Sequence, residues 1–385
     1  RKPPAWLRAW RFFVAALERS TTLAGMFITC QAGFEALLAR ELVELNQLNV
    51  AEQGPGWVRS AEGNPTPATI LFSGEPVTSS SKPIAPEHAL SELTFAHLTF
   101  LDAVELHGDS VNVLAQRVAD FFLTSLKGER VETVWPCVWS GPAEVVGLGR
   151  RISSVEAAFG ELLKKKLSRV AKLAAFDLPR GVGAARGLFV FFTDFGRAFV
   201  AREAFTHGQR RMADDDLAPS RSYLKVEEAY IVLGREPVSD ETVCDLGAAP
   251  GGWSYSAAKR GARVVAVDNG PLKGGALGHA AIEHLCEDAF KFAPRNGEAF
   301  DWLFCDLVEE PHHVVQHLIA PWLSRGWCRR FVVNFKFGRV DAIALLRELR
   351  APDSPFSRYA PDARFRHLYH DREEFTVVGE ILTNL

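Results

Sequence analysis

The feature that most constrains this chain lies between residues 241 and 350, where short apolar segments alternate with helical ones. ETVCDLGA reads as a strand, GWSYSAAKRG as a helix and ARVVAVDN as a second strand. IEHLCEDA, DWLFCDL and RRFVVNFKF read as further strands, and PHHVVQHLIAPWLSR and DAIALLRELR as helices. RHLYHDREEFTVVGEIL closes the chain with two β segments. This alternation predicts an α/β fold built on a Rossmann-like doubly wound sheet, mostly parallel. In such sheets ligands bind beyond the carboxyl ends of the strands, where the strand order reverses.

The residues at those ends are the informative ones. The first strand runs into DLGAAPGGW, Asp245 to Trp253. Its glycines are not spaced as GxGxxG, which argues against a dinucleotide. Gly247, Gly251 and Gly252, with Ala249 and Pro250 among them, permit a tight turn whose backbone N–H groups can approach a ligand. Asp268 ends the second strand about 20 residues further on, the usual station of an acid that bridges ribose hydroxyls. Asp288 follows the third strand and can accept from an adenine amino group, and Asp306 ends the fourth. Any one of these aspartates could simply cap the next helix. Four at successive strand ends fit a ligand with a ribose, an amine and a sulfonium better than they fit a pyrophosphate. S-adenosylmethionine is that ligand and the expected cofactor.

Which group receives a methyl is narrowed by what is missing. Enzymes that methylate a base carbon commonly use the cysteine of a Pro-Cys pair, and the pair here, Pro136-Cys137, lies far from the glycine turn. Amino-methylating enzymes carry an Asn/Asp-Pro-Pro-aromatic loop, but this chain reads CDLVEEP after its fourth strand. Two lysines stand out instead. Lys225 lies in PSRSYLKVEEAY and Lys336 in VVNFKFG, at the end of an apolar strand. Burying a lysine there is costly without a partner or a task, although a lysine that snorkels to solvent from a strand end is common. Asp306 and the pair Glu373-Glu374 are the carboxylates that accompany them.

At these residues the sequence resembles the FtsJ-like ribose 2'-O-methyltransferases, whose active site is a Lys-Asp-Lys-Glu tetrad. SRSYLKVEEA, DLGAAPGGW, FCDLVEE, VNFKFG and DREEFTVV occur in that family's order and spacing. The resemblance is closer still to the bacterial ribosomal large-subunit methyltransferase M family, through APSRSYLKVEEA, CDLGAAPGGW, VDNGP, RGWCRRFVVNFK and LYHDREEFTV, and it covers Met26 to Leu385. It implies S-adenosylmethionine-dependent methylation of a cytidine ribose in 23S rRNA, or in a large-subunit precursor, by a cytoplasmic enzyme with no metal and no membrane. The implied roles are Lys336 as general base, Lys225 as a nearby cation that disfavours a charged Lys336, and Asp306 and Glu373 as orienting acids. Period-2 alternation allows only one of Glu373 and Glu374 to face the site, and the family's motif aligns better with Glu373. Ser222, just before the Lys225 helix, is expected to touch the cofactor.

The same resemblance implies a ferredoxin-like α+β region followed by a THUMP RNA-binding domain, and the N-terminal half is read that way. Residues 26–105 form an α+β unit, with strands at FITCQ and TILFSG, a helix at FEALLARELVEL, and a helix then a strand in HALSELTFAHLTFLDAVEL. Residues 106–206 are the THUMP-like domain. SVNVLAQRVADFFLTSL and SSVEAAFGELLKKKLSRVAKLAAF are its helices, VETVWPCVWS a strand, and GLFVFFTDFGRAFVAREA a hairpin turning at Asp194-Phe195-Gly196. Arg150, Arg151, Lys164, Lys165, Lys166, Arg169, Lys172, Arg180 and Arg186 make this region basic. That run is either a solvated helix face or a nucleic-acid platform. Residues 207–222 read as a linker and residues 223–385 as the methyltransferase domain. Residues 1–25 are read as a leader or appendage, with Met26 as the natural start.

Composition agrees with a protein that builds real cores, since 47% of its 385 residues are hydrophobic. Cys30, Cys137, Cys244, Cys286, Cys305 and Cys328 form no CxxC and read as reduced thiols, most of them buried. His312, His313 and His317, the last two one helical turn apart, read as a surface helix rather than a metal site. Two rival functions remain open: the same chemistry on tRNA or another rRNA site, and a non-catalytic RNA-binding protein with a vestigial cofactor pocket.

Overall fold

A computed structural model describes residues 25–61, 92–126, 128–294 and 299–382. The chain divides into two compact units, Arg1–His207 and Gly208–Leu385. The TILFSG strand and residues 1–24 lie outside the described residues.

The first unit is one continuous sheet. Its strands are β1 (Phe27–Thr29), β2 (Val50–Gly54), β3 (Trp57–Ser60), β4 (Leu98–Leu101), β5 (Val104–His107), β6 (Trp135–Ser140), β7 (Ala174–Ala175), β8 (Val182–Phe192) and β9 (Arg197–His207). They lie in the order β2-β3-β1-β4-β9-β8-β6-β7, with β5 also paired to β9. The boundary expected at residue 105 therefore falls inside β5, and the sheet runs across it. The Asp194–Gly196 hairpin joins β8 to β9, whose cross-strand pairs include Phe191 with Phe199. One face of the sheet buries an aromatic cluster of Phe27, Trp57, Phe100, Phe189, Phe191 and Phe199, in which Phe27 stacks on Phe199 at 4.4 Å. Helices α1 (Val111–Ser125) and α2 (Leu148–Lys166) pack with Trp135, Val190 and Phe192 in a second core.

Helix α2 starts earlier and stops sooner than its sequence suggests. Leu148, Ile152, Val155, Phe159 and Leu163 are buried at helical spacing, and the chain leaves the helix at Leu167. Lys164, Lys165 and Lys166 fill its last turn, where cations suit the negative end of the helix dipole. The helix expected within HALSELTFAH is absent among its described residues. The buried Glu41 carboxylate instead takes the backbone N–H groups of Thr94 at 2.7 Å and Phe95 at 3.0 Å.

The second unit is the doubly wound sheet. Strands β10 (Thr242–Leu246), β11 (Arg263–Val267), β12 (Ile282–Leu285), β13 (Phe300–Cys305), β14 (Cys328–Lys336), β15 (Arg364–Arg366) and β16 (Glu374–Glu380) lie in the order β12-β11-β10-β13-β14-β16-β15. The first five run parallel, and β16 enters antiparallel between β14 and β15. The order reverses between β10 and β13, so the crevice opens where the glycine turn and Asp306 lie. The segment read as a linker is bonded into this unit: Arg210 N–H donates to Glu228 at 3.0 Å and Met212 N–H to His370 Nε2 at 3.0 Å. Among the described residues, no helix is long and apolar enough to cross a membrane.

Candidate active site at the sheet's switch point

The glycine turn leaves β10 and enters α4 (Gly252–Ala258). Gly247 has φ +79° and Gly251 φ +105°, left-handed conformations that favour glycine. A Cβ at Gly247 would lie 2.6 Å from Leu307, and one at Gly251 would lie 2.5 Å from Ala276. These glycines are required by both backbone angle and space. A Cβ at Gly252 would sit 3.1 Å from both Ser220 Oγ and the Tyr223 nitrogen. The turn thus folds closely against the start of α3, the helix Tyr223–Leu233. Trp253 Nε1 fixes that approach by donating to the Ser222 carbonyl at 2.9 Å.

The acids expected around the cofactor are placed unequally. Asp268 shapes the turn, its two oxygens accepting from Ala249 N–H at 2.9 Å and Gly270 N–H at 2.7 Å. Asp288 accepts from Phe290 N–H at 3.0 Å and pairs with Lys291 at 3.3 Å. Asp245 is only 1% exposed and accepts from Ser254 Oγ at 2.6 Å. This side chain braces the turn from below. Burial pushes its carboxyl up to about 7, against the Ser254 hydrogen bond. Ser222 shows its carbonyl to Trp253, whereas the hydroxyl of Ser220, which the sequence reading missed, is buried over Gly252 and has no protein partner. An orphaned hydroxyl above a glycine cradle, with carboxylates at the neighbouring strand ends, suits a polar ligand such as S-adenosylmethionine.

Beside this cradle the two lysines converge on shared carboxylates. Lys336, the last residue of β14, places Nζ 2.5 Å from Asp306 Oδ1, 3.1 Å from Asn334 Oδ1 and 3.4 Å from Glu374 Oε2. Lys225, on α3, places Nζ 2.5 Å from Glu374 Oε1. Glu374 thus bridges the lysines, and the expectation of Glu373 in that position is corrected. The cause is strand register. Lys336 is paired across β14 and β16 with Glu374, and Asn334 with Thr376, so these four share a face, while Phe335 and Phe375 share the other. Glu373 lies outside the strand, where its carbonyl accepts from Phe337 N–H at 2.9 Å and its carboxylate crowds Gly338.

The charges fit together. Burial works against an ionised Glu374, but Lys225 and Lys336 outweigh it and hold the carboxyl below its ordinary range. Burial likewise works against a charged Lys225, yet Asp306, Asp371 and Glu374 hold its ammonium above the ordinary range. Beneath them lies Asp371, 1% exposed, whose carboxyl is raised by burial. Cys137 is buried in the first unit and its thiol is pushed up to about 12, which suits no nucleophile. His312 is held by Glu310 and by Glu348 at 3.0 Å, and the His313 ring lies tilted against His317 with centroids 4.5 Å apart. No group of three or more potential metal ligands occurs among the described residues.

Residues 218–336 match the FtsJ-like methyltransferase family. Over most of its length the chain is similar to the ribosomal RNA large subunit methyltransferase M of Stenotrophomonas maltophilia strain R551-3, with 31% identity across 93% of this chain and 97% of that one. It is 29% identical to the Marinomonas protein of the same name over 92% of this chain and 99% of that one. Identity to the Laribacter hongkongensis protein reaches 37% over 60% of this chain and 66% of that one.

Proposed function

Because the chain belongs to the ribosomal RNA large subunit methyltransferase M family, we propose that it methylates the 2'-hydroxyl of one cytidine ribose in 23S rRNA, with S-adenosylmethionine as the methyl donor. The observation that carries this reading is the linked set Lys225, Glu374, Lys336 and Asp306 beside the glycine turn. A ribose hydroxyl is a poor nucleophile until its proton leaves, so the site needs a base within hydrogen-bond reach. Lys336 is that base: its amine takes the proton and becomes an ammonium, which Asp306 and Glu374 stabilise. Asp306 aims Nζ from the end of β13. Lys225 stays charged, held by Glu374, and faces the oxygen as it loses its proton. Bound in the cradle, S-adenosylmethionine supplies an electrophilic methyl group, and the remaining acceleration comes from holding the ribose in line with it.

Single-turnover methylation of unmodified 23S rRNA tests the assignment. Lys336→Ala and Glu374→Gln are each expected to slow the reaction ~10²- to 10⁴-fold, while Glu373→Gln stays within about threefold of the wild-type rate. A Lys336→Ala protein at near wild-type rate removes the base from this account. Transfer to tRNA in place of 23S rRNA would retain the chemistry and discard the substrate.

A further inference from the structure

The tetrad rests on a polar layer that no role yet explains. Asn334, Asp371 and Thr376 are each at most 2% exposed and lie directly under the two lysines. The Asn334 amide nitrogen donates to Asp371 Oδ1 at 3.2 Å and to Thr376 Oγ1 at 3.1 Å. With both amide hydrogens directed downward, its oxygen must face up, where it accepts from Lys336 Nζ at 3.1 Å. Asp371 is fixed in turn, because its other oxygen accepts from Leu368 N–H at 2.9 Å and from Thr376 Oγ1 at 3.2 Å. Each Asp371 oxygen therefore receives an N–H, and an amide in its place would oppose donor to donor.

We propose that Asn334 is a positioning residue for Lys336, its amide locked by Asp371 and Thr376 so that an uncharged oxygen aims the Lys336 amine at the ribose hydroxyl. This rests on the reading of Lys336 as the base. The argument is one of charge and valence. A neutral amine has two N–H groups and one lone pair. Asp306 at 2.5 Å and Asn334 at 3.1 Å are its hydrogen-bond partners and take the two N–H groups, with Glu374 further off at 3.4 Å, which leaves the lone pair for the incoming proton. A carboxylate at position 334 would still reach Nζ, but it would lose the two hydrogen bonds that the amide donates to Asp371 and Thr376 and, where ionised, would favour the ammonium, which cannot accept that proton. The charged and titratable groups that face Lys336 are Asp306 from the end of β13, Glu374 from β16 with Lys225 of α3 behind it, Asp371 below, and the buried Cys305 thiol beside Asp306. Asn334 is the neutral member among these acceptors.

The test is the ionisation of Lys336 in the full chain without cofactor, followed by NMR of labelled lysine, together with the pH dependence of single-turnover methylation of 23S rRNA. Asn334→Asp is expected to raise the Lys336 midpoint by about one pH unit or more and to move the rising limb of the rate profile by the same amount, costing about tenfold in rate below the midpoint. Asp371→Asn, which forces the Asn334 amide to turn its hydrogens toward Nζ, lowers the plateau rate about tenfold without raising the midpoint. Melting and cofactor binding of each variant separate these effects from misfolding. An unchanged Lys336 midpoint in Asn334→Asp, or a wild-type plateau in Asp371→Asn, overturns the proposal. An active Lys336→Ala protein instead overturns the base assignment beneath it.

Discussion

At the scale of single residues, burial and register decide what each acid does. Asp245 and Asp268 look alike in sequence, each ending a strand, yet Asp245 is sealed under the glycine turn while Asp268 holds the turn's backbone. The raised carboxyl of Asp245 has a signed consequence for stability. A carboxyl whose folded value is lifted to about 7 favours folding at acid pH, and that contribution is lost as pH rises through the folded value. Asp245→Asn keeps an acceptor for Ser254 and carries no charge. Relative to wild type, the variant is expected to gain on the order of a few kcal/mol between about pH 4 and pH 8. Urea denaturation across that range checks it, and parallel curves for the two proteins would show that Asp245 is ionised in the fold. The choice between Glu373 and Glu374 was legible in principle. Asn334 and Lys336 alternate with Phe335 and Phe337, and Glu374 and Thr376 alternate with Phe375 and Val377. Pairing polar with polar across two strands selects Glu374 without any motif.

At the scale of elements, the site is held by a helix and a loop joined through one carboxylate. Glu228 is fully buried one turn after Lys225, and its oxygens accept from Arg210 N–H at 3.0 Å, Tyr369 N–H at 2.8 Å and His370 N–H at 3.3 Å. It ties the start of this unit and the loop before Glu374 to the helix that carries Lys225. Glu228→Gln must point an amide at one of those N–H groups. It is expected to cost ~1–3 kcal/mol of stability and to lower the methylation rate without the total loss expected of Lys336→Ala. Wild-type stability in the variant would mean the loop is held by other contacts. The strands and helices of the second unit were legible because apolar runs there alternate with helical patterns. Elements shaped by distant partners were not. The segment 92–97 reads as helical, but Glu41, some 50 residues away in the chain, takes two of its N–H groups. The residues 207–222 read as a linker because their many polar groups give no sign that Glu228 and His370 satisfy them.

At the scale of the molecule, each unit has its own sheet and core, and the sites of chemistry lie in the second. In the first, several of the basic residues counted in the sequence are committed to partners: Arg186 pairs with Glu129 and Glu203, and Lys164 with Glu161. Lys165, Arg169, Lys172 and Arg180 remain exposed. Exposed cations of this kind contact phosphate and add affinity without reading sequence. We propose that residues 208–385 carry the chemistry and that the first unit grips the RNA. The measurement that tests it most directly is transfer of a labelled methyl group from S-adenosylmethionine to unmodified 23S rRNA, by the full chain and by a chain beginning at Gly208, with the product nucleoside identified by mass spectrometry. The account predicts 2'-O-methylcytidine from the full chain, and from the shorter chain cofactor binding without RNA methylation. A methyl group found on a base, or 2'-O-methylation by residues 208–385 at the full chain's rate, would contradict it.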